Sequence, residues 1–222
     1  MIKALVFDFD GLILETETPI FQSWQELYRD YGLELRLEQW IANVGTAEEM
    51  FDPLANLERQ LGHPIDREVE LPRRRRRELE LVQAQPILPG VRDYLESARK
   101  LRLKIGLASS SPCEWVVGHL ERLGLIGYFE AIVASDDVAR TKPDPALYRT
   151  AVEWLKVNPE QAVAFEDSLN GLIAAKRAGL RCVVIPNALT RHLSLEQADL
   201  RLNSLAEMPL EELLSRLEQA MK

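Results

Sequence analysis

Five short apolar runs, residues 2–7, 104–108, 131–134, 162–165 and 182–185, each end against a turn, a polar cluster or an acidic pair. They are rich in Val, Ile, Leu, Ala and Phe, as suits strands buried on both faces of a sheet. Helical periodicity fills residues 91–101, 145–155 and 169–178, and Gly124 and Gly179 stand where helices should stop. Ser111-Pro112-Cys113-Glu114 reads as a further helix start, with Ser as cap, Pro at the first helical position and Glu three residues after the cap. This alternation predicts an α/β fold, a Rossmann-like parallel sheet with helices on both faces.

The stretch between the first two strands breaks the pattern. Trp24, Leu27, Tyr28 and Tyr31, then Leu54, Leu57 and Leu61, recur at three- and four-residue spacing. Gly32, Gly45, Gly62 with Pro64, and Pro72 are expected to divide the stretch into several short helices. The predicted organisation is an α/β core of residues 1–14 and 87–222, interrupted by an inserted all-helical cap domain of residues 15–86. Arg73 to Arg77 form an unbroken arginine run inside the cap. It reads first as a solvated helix face, because Glu78 and Glu80 follow Arg74 and Arg76 by four residues and can pair with them. The sharper reading is that one or two guanidinium groups face the active site and hold an anionic substrate.

Charge and composition exclude several functions. The 222 residues carry 27 basic and 35 acidic side chains, a net of −8 that opposes general nucleic-acid binding. Residues 15–86 hold 15 acidic and 9 basic side chains, so most of that acidity belongs to the cap. No apolar run approaches the roughly 18–20 residues that span a bilayer. Asp8 and Asp10 interrupt the first run before it could serve as a signal-peptide core. A cytoplasmic protein with no membrane partner is expected, with a monomer as the default. Cys113 and Cys182 lie far apart and are expected to be reduced and buried. His63, His119 and His192 lack zinc-site spacing, so any metal should be hard and oxygen-bound.

In an open parallel sheet, functional groups collect at the carboxyl ends of the strands. Those positions hold Asp8 and Asp10, then Ser109, then Asp136 and Asp137 with Lys142 beyond them, then Glu166 and Asp167. Asp8, Asp10 and Asp167 offer hard oxygen ligands for Mg²⁺, and Lys142 can meet a phosphate as a point charge. Hydrolysis of phosphate monoesters suits such a set. One carboxylate attacks phosphorus, a second carboxyl group moves the proton, and a cation and fixed donors balance charge. Each residue has an ordinary explanation too: Asp-x-Asp in a turn, Ser109 as a turn residue, Lys142 as a surface lysine, Glu166-Asp167-Ser168 at a helix start. Their joint placement at successive strand ends is what favours chemistry.

Asp8-Phe9-Asp10-Gly11, Ala108-Ser109-Ser110-Ser111, Lys142-Pro143-Asp144-Pro145 and Phe165-Glu166-Asp167-Ser168-Leu169-Asn170-Gly171 resemble the four motifs of the haloacid dehalogenase superfamily. Over nearly the whole chain the resemblance is to its β-phosphoglucomutase-like phosphatases. It implies Asp8 as nucleophile and Asp10 as general acid and base. Ser109 and Lys142 would bind phosphate; Asp8, the Asp10 carbonyl and Asp167 would be Mg²⁺ ligands, with Glu166 supporting. It further implies a mobile helical cap; the motifs say little about substrate, and the leading expectation is a Mg²⁺-dependent phosphatase of a small phosphorylated metabolite such as a sugar phosphate. No lysine lies between Lys3 and Lys100, which excludes the Schiff-base chemistry of phosphonate-cleaving relatives. Hexose-phosphate mutases carry a cap histidine where this chain reads Glu17-Thr18-Pro19-Ile20, and a cap lysine that is absent here, so a phosphatase is favoured over a mutase. Asp10 argues against dehalogenation. Leu12 and Glu15 replace the Thr and Asp of many relatives. A phosphorylatable regulatory or binding protein is the non-enzyme alternative; a receiver-like switch would lack the inserted helices, and a degenerate binder would have lost a key residue.

Overall fold

The computed structural model describes residues 1–41, 51–191 and 193–219; the expected break at Gly45, and His192, lie outside them. Six strands form one parallel sheet: β1 (Ala4–Phe7), β2 (Lys104–Ala108), β3 (Ala131–Val133), β4 (Ala162–Glu166), β5 (Arg181–Val184) and β6 (Leu200–Arg201). Their order is β3-β2-β1-β4-β5-β6. The chain therefore builds outward from β1 in one direction and then crosses to build in the other. A crevice opens at the carboxyl ends where the direction reverses, between β1 and β4.

Every residue of β1 is buried, and the two-residue period of a strand divides them between two cores. Leu5 and Phe7 join the cluster under α5 (Val91–Lys100), α6 (Cys113–Arg122) and α9 (Leu210–Gln219). Ala4 and Val6 join the opposite cluster, under α7 (Ala146–Trp154) and α8 (Leu169–Arg177). Phe7 and Phe165, paired in register on β1 and β4, stack with ring centroids 4.8 Å apart, and Tyr94 meets Phe165 edge-on. Each such fully buried ring contributes roughly 1.5–3 kcal/mol, which stiffens the strand ends that carry the site.

Between β1 and α5 the described chain forms α1 (Glu17–Asp30), α2 (Leu37–Ile41), α3 (Pro53–Leu61) and α4 (Arg67–Gln83). Phe21, Trp24, Leu27, Tyr28, Leu35, Leu57 and Ile65 give these helices their own apolar cluster. The chain leaves and re-enters the sheet layer side by side: Leu14 bridges Ile87, and Leu88 N–H donates to the Ile13 carbonyl at 3.0 Å.

Three local expectations are corrected. Pro72 does not end a helix; α4 runs through it, capped by Asp66. Pro72 removes one i→i−4 backbone bond in the second turn, and α4 is held across it by its ties to α1 through Arg73 to Asp30, Arg74 to Ser23 and Arg77 to Glu26. Ser111 does not cap α6, which begins at Cys113; the Asp136 carboxylate from the end of β3 accepts the Cys113 N–H at 2.6 Å instead. Cys113 is exposed as a result, while Cys182 is buried in β5. The alternation had ended at residue 185, whereas β6 and α9 continue beyond it. No described helix is long and apolar enough to cross a membrane.

Candidate active site

The register that pairs Phe7 with Phe165 sets Asp8, at the end of β1, beside Glu166, the last residue of β4. Asp167 follows at once, and one carboxylate oxygen from each of Asp8, Glu166 and Asp167 lies within 4.8 Å of the others. Lys142 enters from the loop before α7. Its Nζ stands 2.6 Å from Asp8 Oδ1 and 2.7 Å from Glu166 Oε1. Glu166 has no exposure to solvent. Its carboxylate also accepts the Tyr148 hydroxyl from α7 and the Ser168 hydroxyl at 3.3 Å. Ser168 in turn caps α8, accepting the Gly171 N–H at 3.2 Å, as its position predicts. Gly171 has to lack a side chain, because a Cβ there would overlap the Glu166 carboxylate. Gly11 is required twice over: its φ is +76°, and a Cβ would strike the Asp167 carboxylate.

Three buried carboxylates share a single buried ammonium. Burial and the Glu166 charge push Asp8 up to about 8, against the opposing pull of Lys142. Burial, Asp8 and Glu166 hold Asp167 well above the usual carboxylate range. Lys142 stays cationic, because the pull of Asp8 and Glu166 outweighs its own burial. Without a further cation the site thus favours neutral Asp8 and Asp167, and a cation beside these hard oxygen donors would favour their ionised forms. This donor set fits a small divalent cation such as Mg²⁺, which takes one or two carboxylates and keeps several waters.

Asp10 turns elsewhere. Its Oδ2 accepts from Ser111 Oγ at 2.7 Å and, more weakly, from Ser109 Oγ at 3.4 Å, while its Oδ1 accepts the Trp115 indole N–H at 2.9 Å. Ser109, fully buried at the end of β2, also accepts the Ser111 N–H at 3.0 Å. The carboxylates of Asp136 and Asp137 serve local structure, at the start of α6 and at Ala134 N–H.

Asp8, Asp10, Ser109, Lys142 and Asp167 all line one cavity of about 1320 Å³, roofed by Glu17 and by residues of α4. The arginine run divides there. Arg73 pairs with Asp30 and Glu70, Arg74 with Glu78 while stacked on Trp24, and Arg77 with Glu26 and Glu80. The expected Arg74–Glu78 pair is present; the expected Arg76–Glu80 pair is not, since Glu80 takes Arg77. Arg75 and Arg76 line the cavity with no ion pair to any described residue. Sequence reasoning missed Tyr148, Trp115 and Asn187, whose Nδ2 donates to Asp167 Oδ2 at 2.7 Å. Asn187 stands two residues past the 182–185 run, where the strand-end rule could have found it. Tyr148 and Trp115 lie inside helices and carry no such signal.

Residues 5–185 match the family model of the haloacid dehalogenase-like hydrolases. The chain belongs to that family. YhcW of Bacillus subtilis (strain 168), named provisionally as a phosphatase, is 48% identical over 98% of both chains. A phosphorylated carbohydrates phosphatase of Thermotoga maritima is 33% identical over 80% of this chain and 82% of its own. Among solved structures, a Thermotoga maritima protein named provisionally as a β-phosphoglucomutase superposes with a TM-score of 0.80 at 31% identity, covering 96% of this chain and 99% of its own.

Proposed function

We propose that this chain, a phosphoric monoester hydrolase of the haloacid dehalogenase superfamily, uses Mg²⁺ and a transient aspartyl-phosphate (acyl phosphate) on Asp8 to hydrolyse small phosphorylated carbohydrates. The observation that carries the reading is the buried Asp8–Lys142–Glu166 array, with Asp167 beside it, at the floor of a cavity roofed by α4. The name of the Thermotoga relative supports the substrate class.

In this reading the Asp8 carboxylate attacks phosphorus, the bond to the leaving oxygen breaks, and Asp10 protonates that oxygen. Asp10 then removes a proton from the water that attacks the same phosphorus, so that inorganic phosphate leaves and Asp8 is restored. Lys142 and Ser109 bind the phosphoryl oxygens, and Glu166 holds Lys142 in place. Mg²⁺, held by Asp8, Asp167 and the Asp10 carbonyl, would offset the surplus carboxylate charge and stabilise the transferring group. Residues 15–86 act as a cap that excludes water while the phosphoryl group moves. Arg75 and Arg76 supply positive charge on the cap side.

Asp8→Asn should abolish phosphate release from an aryl phosphate and from sugar phosphates, Asp10→Asn should slow it, and EDTA should stop it until Mg²⁺ is restored. Full turnover by the Asp8 variant would refute the assignment. When primed with a hexose bisphosphate, the enzyme should release inorganic phosphate rather than convert a hexose 1-phosphate to the 6-phosphate.

A further inference from the structure

We propose that Trp115, with Ser111, is the positioning residue for Asp10, fixing the carboxyl group that exchanges a proton with the leaving oxygen; this rests on the phosphatase reading above. Asp10 is the one acidic member of the predicted site whose carboxylate lies outside the Asp8–Glu166–Asp167 group. Its two oxygens are instead held from two directions, Oδ1 by the Trp115 indole at 2.9 Å and Oδ2 by the Ser111 hydroxyl at 2.7 Å. Two hydrogen bonds on different oxygens fix both where a carboxylate sits and how it is rotated, whereas one bond leaves it free to pivot.

The indole is itself braced. Trp115 meets the His119 ring edge-on at 4.4 Å, and His119 stacks on Phe9 at 6.1 Å. Phe9 precedes Asp10 in the chain, so the residue before the carboxylate and the donor to it both rest on one histidine of α6. The bland alternative is that Trp115 only packs α6 against the apolar core. Yet its ring lines the catalytic cavity and is only half-buried, and its N–H finds an ionisable oxygen rather than a backbone carbonyl. Ser111 thus turns its hydroxyl to donate to Asp10, while the Asp136 carboxylate accepts the Cys113 N–H at the start of α6.

A residue that aims a general acid matters most when the leaving group needs a proton. An alkyl phosphate, such as a sugar phosphate, releases a basic alkoxide, whereas p-nitrophenyl phosphate releases a stable phenolate with little need of an acid. The value of kcat/KM covers binding through the first irreversible step, so it isolates the acid role from later attack by water. Trp115→Phe keeps the aromatic contact with His119 and removes the donor. It should lower kcat/KM for a sugar phosphate about tenfold, a part of the roughly hundredfold or more that acid catalysis supplies, and for p-nitrophenyl phosphate by no more than about threefold. Ser111→Ala should shift the ratio of the two in the same direction, which provides a second variant if Trp115→Phe folds poorly. In an Asp10→Ala background, Trp115→Phe should cause little further loss on the sugar phosphate, because a positioning residue has nothing left to aim. An unchanged ratio in both single variants, or an equal loss with and without Asp10, would overturn the proposal and leave Trp115 a packing residue. If the wild-type enzyme releases phosphate from neither ester, the phosphatase reading fails and this role fails with it.

Discussion

Replacing Lys142 by Met tests the charge balance of the site most directly. Met fills much of the same volume but leaves Asp8, Glu166 and Asp167 without their buried cation. Removing one partner of a buried ion pair costs about 3–5 kcal/mol, since the remaining charge keeps its desolvation penalty. For a protein of this size that corresponds to a fall in Tm of about 6–20 °C. The sign with pH follows from the direction of the carboxylate shifts. Asp8 is already raised from 3.8 to about 8 with Lys142 present, and loss of the lysine raises it further. A carboxyl group whose pKa is higher folded than unfolded loses stability as pH rises above its unfolded value. The Lys142→Met deficit should therefore widen as pH rises through about 8, where Asp8 ionises beside Lys142 in the wild type, and be larger at pH 9 than at pH 5, where Asp8 is neutral with or without the lysine. Thermal unfolding in EDTA at the two pH values measures it. A variant that melts within about 2 °C of wild type at pH 9, or whose deficit is equal at both pH values, would refute the view that Lys142 balances a buried carboxylate surplus.

Two further perturbations follow from the same geometry. Burial, with Asp10, Glu15 and Glu78 nearby, raises Glu17 from 4.5 to about 7, so its ionisation opposes folding as pH rises through that window; Glu17→Gln should raise stability at pH 8 by up to about 3 kcal/mol and leave it nearly unchanged at pH 4, read from melting curves in EDTA. Gly171→Ala should destabilise the fold by about 1–3 kcal/mol and lower phosphatase activity, because the new methyl group displaces the Glu166 carboxylate that holds Lys142; denaturant unfolding and phosphate release check both, and wild-type behaviour in each would contradict the packing described.

Much of this protein is legible in one dimension because its signals are local. A run such as Ala4–Phe7 is apolar at every position since both faces of its strand are covered, and Ser168 caps α8 through a bond three residues away. Strand ends are equally local features, and Asp8, Asp10, Ser109, Glu166 and Asp167 could be picked out by applying one rule to them, with Lys142 in the loop beyond β3. β6 and α9 were missed because a two-residue strand offers too little pattern to register.

What the chain order could not settle is which strand lies beside which, and therefore which side chain spends its hydrogen bonds on which neighbour. Ser111 and Asp136 show this: a local capping pattern assigned the start of α6 to the serine, but the juxtaposition of β1, β2 and β3 gives the serine to Asp10 and the helix to the aspartate. The arginine run shows it again. Five identical residues differ only in what α1 and the cavity place opposite each, so Arg73, Arg74 and Arg77 are paired while Arg75 and Arg76 face the site. Local hydrogen bonding and side-chain period set the elements and the roster of candidate site residues. Contacts between residues on the order of a hundred positions apart, made only when strands of the sheet align, decide what each of those residues touches.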